Sequence, residues 1–208
     1  MTRVEKVVTS GVFSLDGEDF DVDNNIWLIG DDSEVLIVDA AHDARPIVEA
    51  VAGRTVVGVV CTHGHNDHVN AVGDLRAAVG APVYLHPGDR MLWDAVYADT
   101  APDRTLADGD VITVAGTRLE VLNTPGHSPG SCCLYAPDIG VLFAGDTLFN
   151  GGPGATGRSY SDYDTIVESI ATRLLSLPAE TVVHTGHGDD TTIGAEAPSL
   201  EEWRRRGS

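Results

Sequence analysis

The chain has 208 residues, of which 42% are hydrophobic and 22% are charged, a length and composition that suit one globular domain, 1–208, with a buried core. Its 13 basic residues against 32 acidic ones leave a formal net charge of −19. Such a charge repels phosphate backbones and anionic lipid surfaces, which argues against nucleic-acid and membrane partners.

The compartment and the redox state can also be predicted. No apolar run approaches the roughly 20 residues that cross a bilayer, and residues 1–10 lack the apolar core of a signal peptide. We therefore expect a cytoplasmic protein. The cysteines are an odd set within apolar runs, so we expect buried free thiols: Cys61, Cys132 and Cys133. The oligomeric state is left unknown.

Apolar runs and alternation predict strands in chain order at 25–29, 35–39, 56–61, 82–86, 113–122, 132–135, 141–144 and 181–184. Helices are predicted at 44–52, 69–79 and 161–177 and from Ser199 onward. The first strands follow one another with turns between them, which indicates antiparallel pairing. The whole pattern favours sheets in the middle and helices outside.

The predicted helix at 161–177 has an apolar face. Ile166, Ile170 and Leu174 recur at four-residue spacing, which suits packing against a sheet. Ser161 followed by Asp164 resembles a capping box and predicts where the helix begins.

Potential metal ligands follow several of the predicted strands. They are His63, His65, Asp67, His68, His127, Asp146 and His187. Core packing does not produce four such residues within the six positions 63–68. Imidazole and carboxylate groups suit zinc, with iron, manganese or cobalt as alternatives. The pattern therefore predicts a metal site.

Other motifs carry weaker predictions. His42, His86 and His184 match no ligand pattern, and we expect them to be surface or structural residues. The stretch 152–157 formally fits Gly-x-Gly-x-x-Gly, but it contains proline and does not open a helix after a strand, so it does not predict dinucleotide binding.

The sequence His-x-His-x-Asp-His at 63–68 resembles the signature of the metallo-β-lactamase superfamily. Further motifs of that family occur in the same order, as Thr-Pro-Gly-His at 124–127, Phe-Ala-Gly-Asp at 143–146 and Thr-Gly-His-Gly at 185–188. Together they extend over most of the chain. The resemblance implies an α/β fold, the αββα sandwich, with the site at one edge of its two sheets.

The resemblance also implies two divalent metal ions per chain, with zinc expected. The first ion would be held by His63, His65 and His127. The second would be held by Asp67, His68 and His187. Asp146 would bridge the two ions. The resemblance implies that Asp146 and Asp67 are the catalytic residues, with Asp67 acting as a ligand first and as a base second. Asp39, at the end of a strand, matches an aspartate beneath the site that would orient a ligand.

This site predicts a metal-dependent hydrolase. Two ions about 3.5 to 4 Å apart can share a water and lower its pKa, so that a bridging hydroxide forms near neutral pH. The ions can also stabilise the oxyanion that develops at a carbonyl.

The segment 145–149, followed by a glycine-rich loop, resembles the glyoxalase II and sulfur dioxygenase branch, and residues 191–196 do so too. That branch acts on thiol conjugates. The chain is shorter than the glutathione-binding form of glyoxalase II, and 12 of its 13 basic residues are arginine, as is typical of high-G+C actinobacteria, which use mycothiol.

We therefore expect a small-molecule thioester substrate, with S-formylmycothiol first and S-lactoyl or other acyl conjugates next. A thiolate leaving group with a pKa of about 8.5 needs little protonation, so no general acid is required. Arg158, Tyr160 and Tyr163 are the predicted substrate contacts. The alternatives are an iron-dependent persulfide dioxygenase, a lactonase and a non-catalytic metal-binding module.

Overall fold

The computed structural model describes residues 1–206, which form two six-stranded sheets, a two-stranded ribbon and helices outside the sheets. Gly207 and Ser208, the end of the predicted domain, lie outside the described residues. Among those described, no helix is long and apolar enough to span a membrane.

The first sheet has the strand order β1-β2-β3-β4-β5-β6. These strands are β1 (Arg3–Leu15), β2 (Glu18–Gly30), β3 (Glu34–Val38), β4 (Thr55–Val60), β5 (Val83–Leu85) and β6 (Arg104–Thr105). The pairs from β1 to β3 are antiparallel, and those from β3 to β6 are parallel. Parallel neighbours need crossovers, and helices supply them here. They are α1 (Ala44–Val51), α2 (Asn66–Val69), α3 (Val72–Val79) and α4 (Arg90–Val96).

The second sheet is mostly antiparallel. Its strands are β7 (Val111–Val114), β8 (Thr117–Asn123), β9 (Cys132–Ala136), β10 (Val141–Gly145), β13 (Val182–Thr185) and β14 (Thr191–Thr192). They lie in the order β14-β13-β10-β9-β8-β7, and only β10 and β13 are parallel. The two-stranded ribbon consists of β11 (Leu148–Phe149) and β12 (Gly152–Pro153). The remaining α-helices are α5 (Tyr163–Ser169), α6 (Ile193–Glu196) and α7 (Leu200–Arg206). A π-helical segment (Ile170–Leu174) continues α5.

Alternating side chains on the central strands build the layers. On β2, Ile26 and Leu28 pack towards the helices, while Trp27 and Ile29 pack towards the second sheet. On β10, Phe143 faces the first sheet, and its neighbours face α5. Since side chains alternate along a strand, sheets buried on both faces need helices outside them. The predicted αββα sandwich is confirmed.

Three predicted elements differ from the structure. The helix predicted at 69–79 corresponds to α3, which begins only at Val72, after the separate short helix α2. The strand at 113–122 is a hairpin, because Ala115 and Gly116 adopt positive φ values of 50° and 75° and reverse the chain. The helix predicted from 161 begins after Asp162, whose carboxylate accepts from the Thr165 N–H at 2.7 Å. Ser161 instead accepts from the N–H of Gly157. The predicted apolar face of this helix is confirmed, since its three residues lie in the core.

The cysteine prediction is confirmed, because Cys61, Cys132 and Cys133 are free and buried. Burial raises the pKa of Cys132 to about 12 and that of Cys133 to about 11. Thiols with such pKa values remain protonated at neutral pH and are poor nucleophiles.

Candidate metal centre

The seven predicted ligands lie at one edge of the sandwich, each just beyond the end of a strand. His63 and His65 follow β4, and Asp67 and His68 lie on α2, directly after that loop. The remaining three follow β8, β10 and β13, respectively, and are His127, Asp146 and His187. Strands from both sheets therefore deliver ligands to the same place.

Backbone hydrogen bonds join the loops that carry these ligands. The Cys132 N–H donates to the Thr62 carbonyl at 2.8 Å, which links the first sheet to the second. The Gly186 N–H donates to the Gly145 carbonyl at 2.8 Å, so the loops of Asp146 and His187 are held side by side.

The ligand atoms fall into three overlapping groups, in each of which all atoms lie within 4.8 Å of one another. The groups are His63 with His65 and His127, then Asp67 with His68 and His187, then His63 with His68 and Asp146. The first two match the two sets of ligands that the family resemblance implies.

Asp146 lies between these two sets. Its Oδ1 is 3.3 Å from Nε2 of His68, and its Oδ2 is 3.4 Å from Nε2 of His187. The same Oδ2 is 3.6 Å from Nε2 of His127, in the other set. The carboxylate can therefore reach both sets at once.

The tautomers of His127 and His187 are fixed by carbonyl groups. Nδ1 of His127 is 2.8 Å from the Ala155 carbonyl oxygen, and Nδ1 of His187 is 2.7 Å from that of Asp23. A carbonyl oxygen can only accept, so each Nδ1 carries a proton. In the neutral rings, each Nε2 then presents a lone pair to the cluster.

Asp39 fixes the tautomers of two further histidines. Its Oδ2 lies 2.9 Å from Nδ1 of His68 and also accepts from the Thr62 hydroxyl at 2.9 Å. Because that hydroxyl has donated its only proton, its contact of 3.1 Å with Nδ1 of His63 needs the ring as donor. The Nε2 atoms of both histidines therefore face the cluster, where each can bind a cation once it carries no proton.

Some of these atoms have no partner within the protein. Nε2 of His63 and Oδ1 of Asp146 are buried without a hydrogen bond, and the atom of His65 that faces the cluster is Nδ1, 3.0 Å from Nε2 of His127. Leaving a buried polar group unpaired costs about 1–3 kcal/mol, and native structures contain few of them. A set of convergent imidazole and carboxylate donors with unpaired atoms fits divalent cations such as zinc or iron.

Burial and charge act differently on the two sets. Burial lowers the pKa of His65 to about 3 and holds that of His63 well below its usual value, so both rings are neutral. Burial also opposes protonation of His187, but the Asp146 carboxylate outweighs it and raises the pKa of His187 to about 10. The carboxylates thus create a negative potential that favours a cation in the second set.

A cavity of about 380 Å³ opens above the cluster. Besides the ligands, its walls include Phe13 and Val22 from the hairpin formed by β1 and β2, together with Asp23, Phe149 and Ala155. None of these described lining residues is lysine or arginine. The cavity therefore combines an apolar wall with a polar, metal-binding floor.

The predicted substrate contacts do not line this cavity. Arg158 pairs with Glu18 at 2.8 Å, and its guanidinium carbon lies 4.5 Å from the centre of the Phe20 ring. Tyr160 is exposed, and the Tyr163 hydroxyl donates to the carbonyl of Trp203 at 3.0 Å. The ring of Tyr163 packs against the core below the second sheet.

Three other residues support the centre. The sequence predicts His42 only as a surface or structural residue, and it does not single out Asn24 or Asp89. Buried Asn24 places its amide nitrogen 3.1 Å from Oδ2 of Asp67, and His42 contacts the other end of that amide. Buried Asp89 accepts hydrogen bonds from both histidine loops. Each contact joins distant parts of the chain, and spacing along the sequence does not reveal it.

Comparison with known proteins relates the chain to one family. The model of the family described as "Metallo-beta-lactamase superfamily" matches residues 20–187. The probable metallo-hydrolase YqgX of Bacillus subtilis is 35% identical, over 83% of this chain and 88% of that protein. The hydroxyacylglutathione hydrolase GloC of Haemophilus influenzae is 31% identical, over 84% of this chain and 90% of that protein.

Solved structures are similar as well. The BLEG-1 B3 metallo-beta-lactamase superposes with a TM-score of 0.78 at 30% identity, covering 91% of this chain and 97% of its own. TTHA1623 in a di-iron-bound form superposes with a TM-score of 0.76 at 34% identity, covering 85% of this chain and 93% of its own.

Proposed function

Since this chain belongs to the metallo-β-lactamase superfamily, we propose that it is a metal-dependent hydrolase of thioesters formed by low-molecular-weight thiols. The observation that carries the proposal is the convergence of Nε2 atoms from four histidines whose Nδ1 atoms are each held by an acceptor: His63, His68, His127 and His187.

In this proposal the chain binds two zinc ions. His63, His65 and His127 would hold the first ion. Asp67, His68 and His187 would hold the second, and Asp146 would contact both. Iron or manganese suits the same donors, and the di-iron form of a similar protein supports iron as the alternative. Bound ions of this kind supply a water of lowered pKa and polarise a carbonyl.

The protein's own groups would position the substrate. Phe13 and Phe149 offer apolar walls on which the acyl group and the sulfur can pack, and they exclude bulk water from the reacting carbonyl. Asp67 lines the cavity, and it would serve as a ligand first and as a proton acceptor second. The leaving thiol has a pKa of about 8.5, so it can depart as a thiolate without a general acid.

The proposed carrier is mycothiol, with S-formylmycothiol as the first substrate to test. The absence of lysine and arginine among the described lining residues supports this choice. Glutathione carries two carboxylates that would meet no lysine or arginine among these lining residues, whereas mycothiol presents sugar hydroxyls and no carboxylate. The name of the Haemophilus influenzae relative supports the thioester class, but with glutathione as its carrier.

A panel of matched thioesters tests this proposal. The zinc-loaded chain should hydrolyse S-formylmycothiol with a kcat/KM more than about tenfold above that for S-formylglutathione, a difference of about 1.4 kcal/mol. Comparable rates with both thiols would reject mycothiol and keep the thioester class. A preference for lactones or β-lactams would reject thioester hydrolysis itself.

The second candidate is an iron-dependent persulfide dioxygenase with one iron held by His63, His65 or His127, and Asp146. The di-iron-bound form of a similar protein supports iron as a metal for these donors but does not indicate the reaction. Iron-loaded protein would then consume oxygen in the presence of a low-molecular-weight persulfide. Zinc-loaded protein would be inactive in that assay, since zinc has no redox chemistry. Oxygen consumption together with inactivity towards every thioester would reject the hydrolase and favour the dioxygenase.

A further inference from the structure

A chain of three polar side chains runs from the protein surface to the second set of metal ligands. Its members are Asn70, His42 and Asn24. Asn24 is 1% exposed, and His42 lies between the two asparagines at partial burial. None of the three is a proposed metal ligand, so metal coordination does not explain why these side chains are hydrogen-bonded to one another.

The direction of each hydrogen bond in this chain follows from the one before it. The backbone N–H of His42 donates to Oδ1 of Asn70 at 2.6 Å, which fixes the orientation of that amide. The NH₂ group of Asn70 therefore faces Nδ1 of His42, at 3.3 Å. Since an NH₂ group only donates, Nδ1 must accept, and the ring proton lies on Nε2.

The remaining steps carry this orientation to the metal ligands. Nε2–H of His42 donates to Oδ1 of Asn24 at 2.8 Å. The NH₂ group of Asn24 consequently points the other way and donates to Oδ2 of Asp67 at 3.1 Å. The same nitrogen lies 3.2 Å from Nε2 of His68.

The backbone is shaped to hold His42 in this position. His42 has a φ of 61°, a conformation that residues other than glycine rarely adopt and that costs free energy. Gly11 of β1 leaves room for the ring, because a Cβ at that position would lie 2.2 Å from Nδ1 of His42. Burial lowers the pKa of His42, in agreement with the neutral ring that the hydrogen bonds require.

We propose that Asn24, oriented by His42, is a positioning residue that holds Asp67 for the second metal ion and is not itself a metal ligand. The inference rests on the proposed metal centre. An amide nitrogen has no lone pair to offer a cation, so the orientation of Asn24 excludes it from coordination. Groups that orient ligands in this way typically change metal affinity about 10- to 100-fold when removed.

Stepwise Zn²⁺ titration of the metal-free chain against a competing chelator tests the inference. Asn24→Ala and His42→Ala should weaken binding of the second Zn²⁺ about 10- to 100-fold and leave the first ion unchanged. His42→Gln should retain most of the wild-type affinity, because its amide N–H can replace Nε2–H as the donor to Asn24. His86→Ala serves as the matched histidine control.

Gly11→Ala provides a second route to the same result. It removes no group of the chain but displaces the His42 ring, so it should weaken the second Zn²⁺ as His42→Ala does. Thermal unfolding of each metal-free variant shows whether it folds. If His42→Ala does not fold, the affinity of Gly11→Ala for the second Zn²⁺ is compared with that of His42→Gln instead.

Three results would overturn the inference. The first is an unchanged affinity for the second Zn²⁺ in Asn24→Ala, and the second is an equal loss in His42→Gln and His42→Ala. The third is a wild-type chain that takes up only one ion. In that case the proposed hydrolase function would be tested separately, by the activity of the chain with one ion. A chain that binds no ion would contradict both the proposed function and this inference.

Discussion

The carboxylate of Asp89 accepts the backbone N–H of Gly64 at 2.8 Å, although the two residues lie on different elements. The other oxygen of Asp89 accepts the N–H of Gly130 at 2.6 Å, and the Ser128 hydroxyl donates to the first oxygen. One buried side chain thus ties the loop of His63 and His65 to the loop of His127.

Asp89→Asn should therefore weaken the first metal ion. An amide offers one accepting oxygen where the carboxylate offers two, so at least one buried N–H loses its partner, at a cost of about 1–3 kcal/mol. The expected result is about a tenfold weaker affinity for the first Zn²⁺ and a lower Tm, measured by chelator competition and thermal unfolding.

Asp94→Asn is the control for this change. Asp94 is exposed on the helix that follows Asp89 and pairs only with Arg90 among the described residues. An exposed pair of this kind contributes about 0–1 kcal/mol. Equal effects of the two substitutions would show that Asp89 has no special link to the metal centre.

Asp146→Ala should remove the carboxylate that reaches both sets of ligands. We expect metal content to fall below two ions per chain and thioester turnover to be nearly abolished, by elemental analysis and initial rates. His86→Ala should change neither, since His86 accepts from the Gly88 N–H in a short 3₁₀ turn and contacts no ligand. Similar losses in both variants would contradict the ligand assignment.

Gly126→Ala should disturb the position of His127. Gly126 has a φ of 133°, and a Cβ there would lie 2.3 Å from the backbone nitrogen of Ile166, so α5 must shift. Overpacking of this kind costs about 1–3 kcal/mol, which should lower the Tm and the affinity for the first Zn²⁺. Gly140→Ala also places alanine at positive φ, but in open space, and should lower the Tm less.

The clustering of the candidate ligands could be predicted from the sequence, because each follows an apolar run that ends at the site. The strand at 141–144 directly precedes Asp146, and the strand at 56–61 precedes His63. Asp39 follows β3 in the same way. Strand ends at one edge of two packed sheets converge, so polar residues that follow apolar runs are expected to lie together. Strand ends alone do not select the candidate ligands, since His86 also follows a strand and belongs to no ligand group; the family motifs made that selection.

The supporting residues could not be predicted in this way. Asn24 lies within β2, where alternation alone suggests an exposed polar position, yet it is buried by its contact with Asp67, 43 residues further on. Arg158 was predicted to bind substrate because it follows Asp146 closely. It turns instead to the hairpin of β1 and β2, which the loop sequence does not indicate.

Arg158→Ala should loosen that hairpin. Arg158 holds Glu18 and the Phe20 ring near the hairpin turn, and the same hairpin carries Phe13 and Val22 into the cavity wall. Exposed ion pairs and cation–π contacts contribute about 1 kcal/mol each, so we expect KM to rise a few-fold for every thioester, with little change in Tm.

Glu18→Ala should reproduce the effect of Arg158→Ala, because it removes the partner and leaves the guanidinium in place. KM values for mycothiol and glutathione thioesters measured side by side check this prediction. An increase in KM that appears only with mycothiol thioesters, and only in Arg158→Ala, would instead indicate direct contact between Arg158 and the carrier.

Removing metal should lower the thermal stability of the chain. A ligand that binds only the folded state stabilises it by about 2.7 kcal/mol per site when its concentration is 100 times its Kd. For a chain of this size, 1 kcal/mol shifts Tm by about 2–4 °C, so each Zn²⁺ should raise Tm by about 5–10 °C. Convergent lone pairs that would otherwise stay unpaired, such as Nε2 of His63, are the source of this stabilisation.

Thermal unfolding with saturating Zn²⁺ and with excess chelator measures this difference in Tm, and Asp146→Ala should show a smaller difference. Equal Tm values for the wild-type chain in both conditions would mean that this cluster does not bind Zn²⁺ in the folded state.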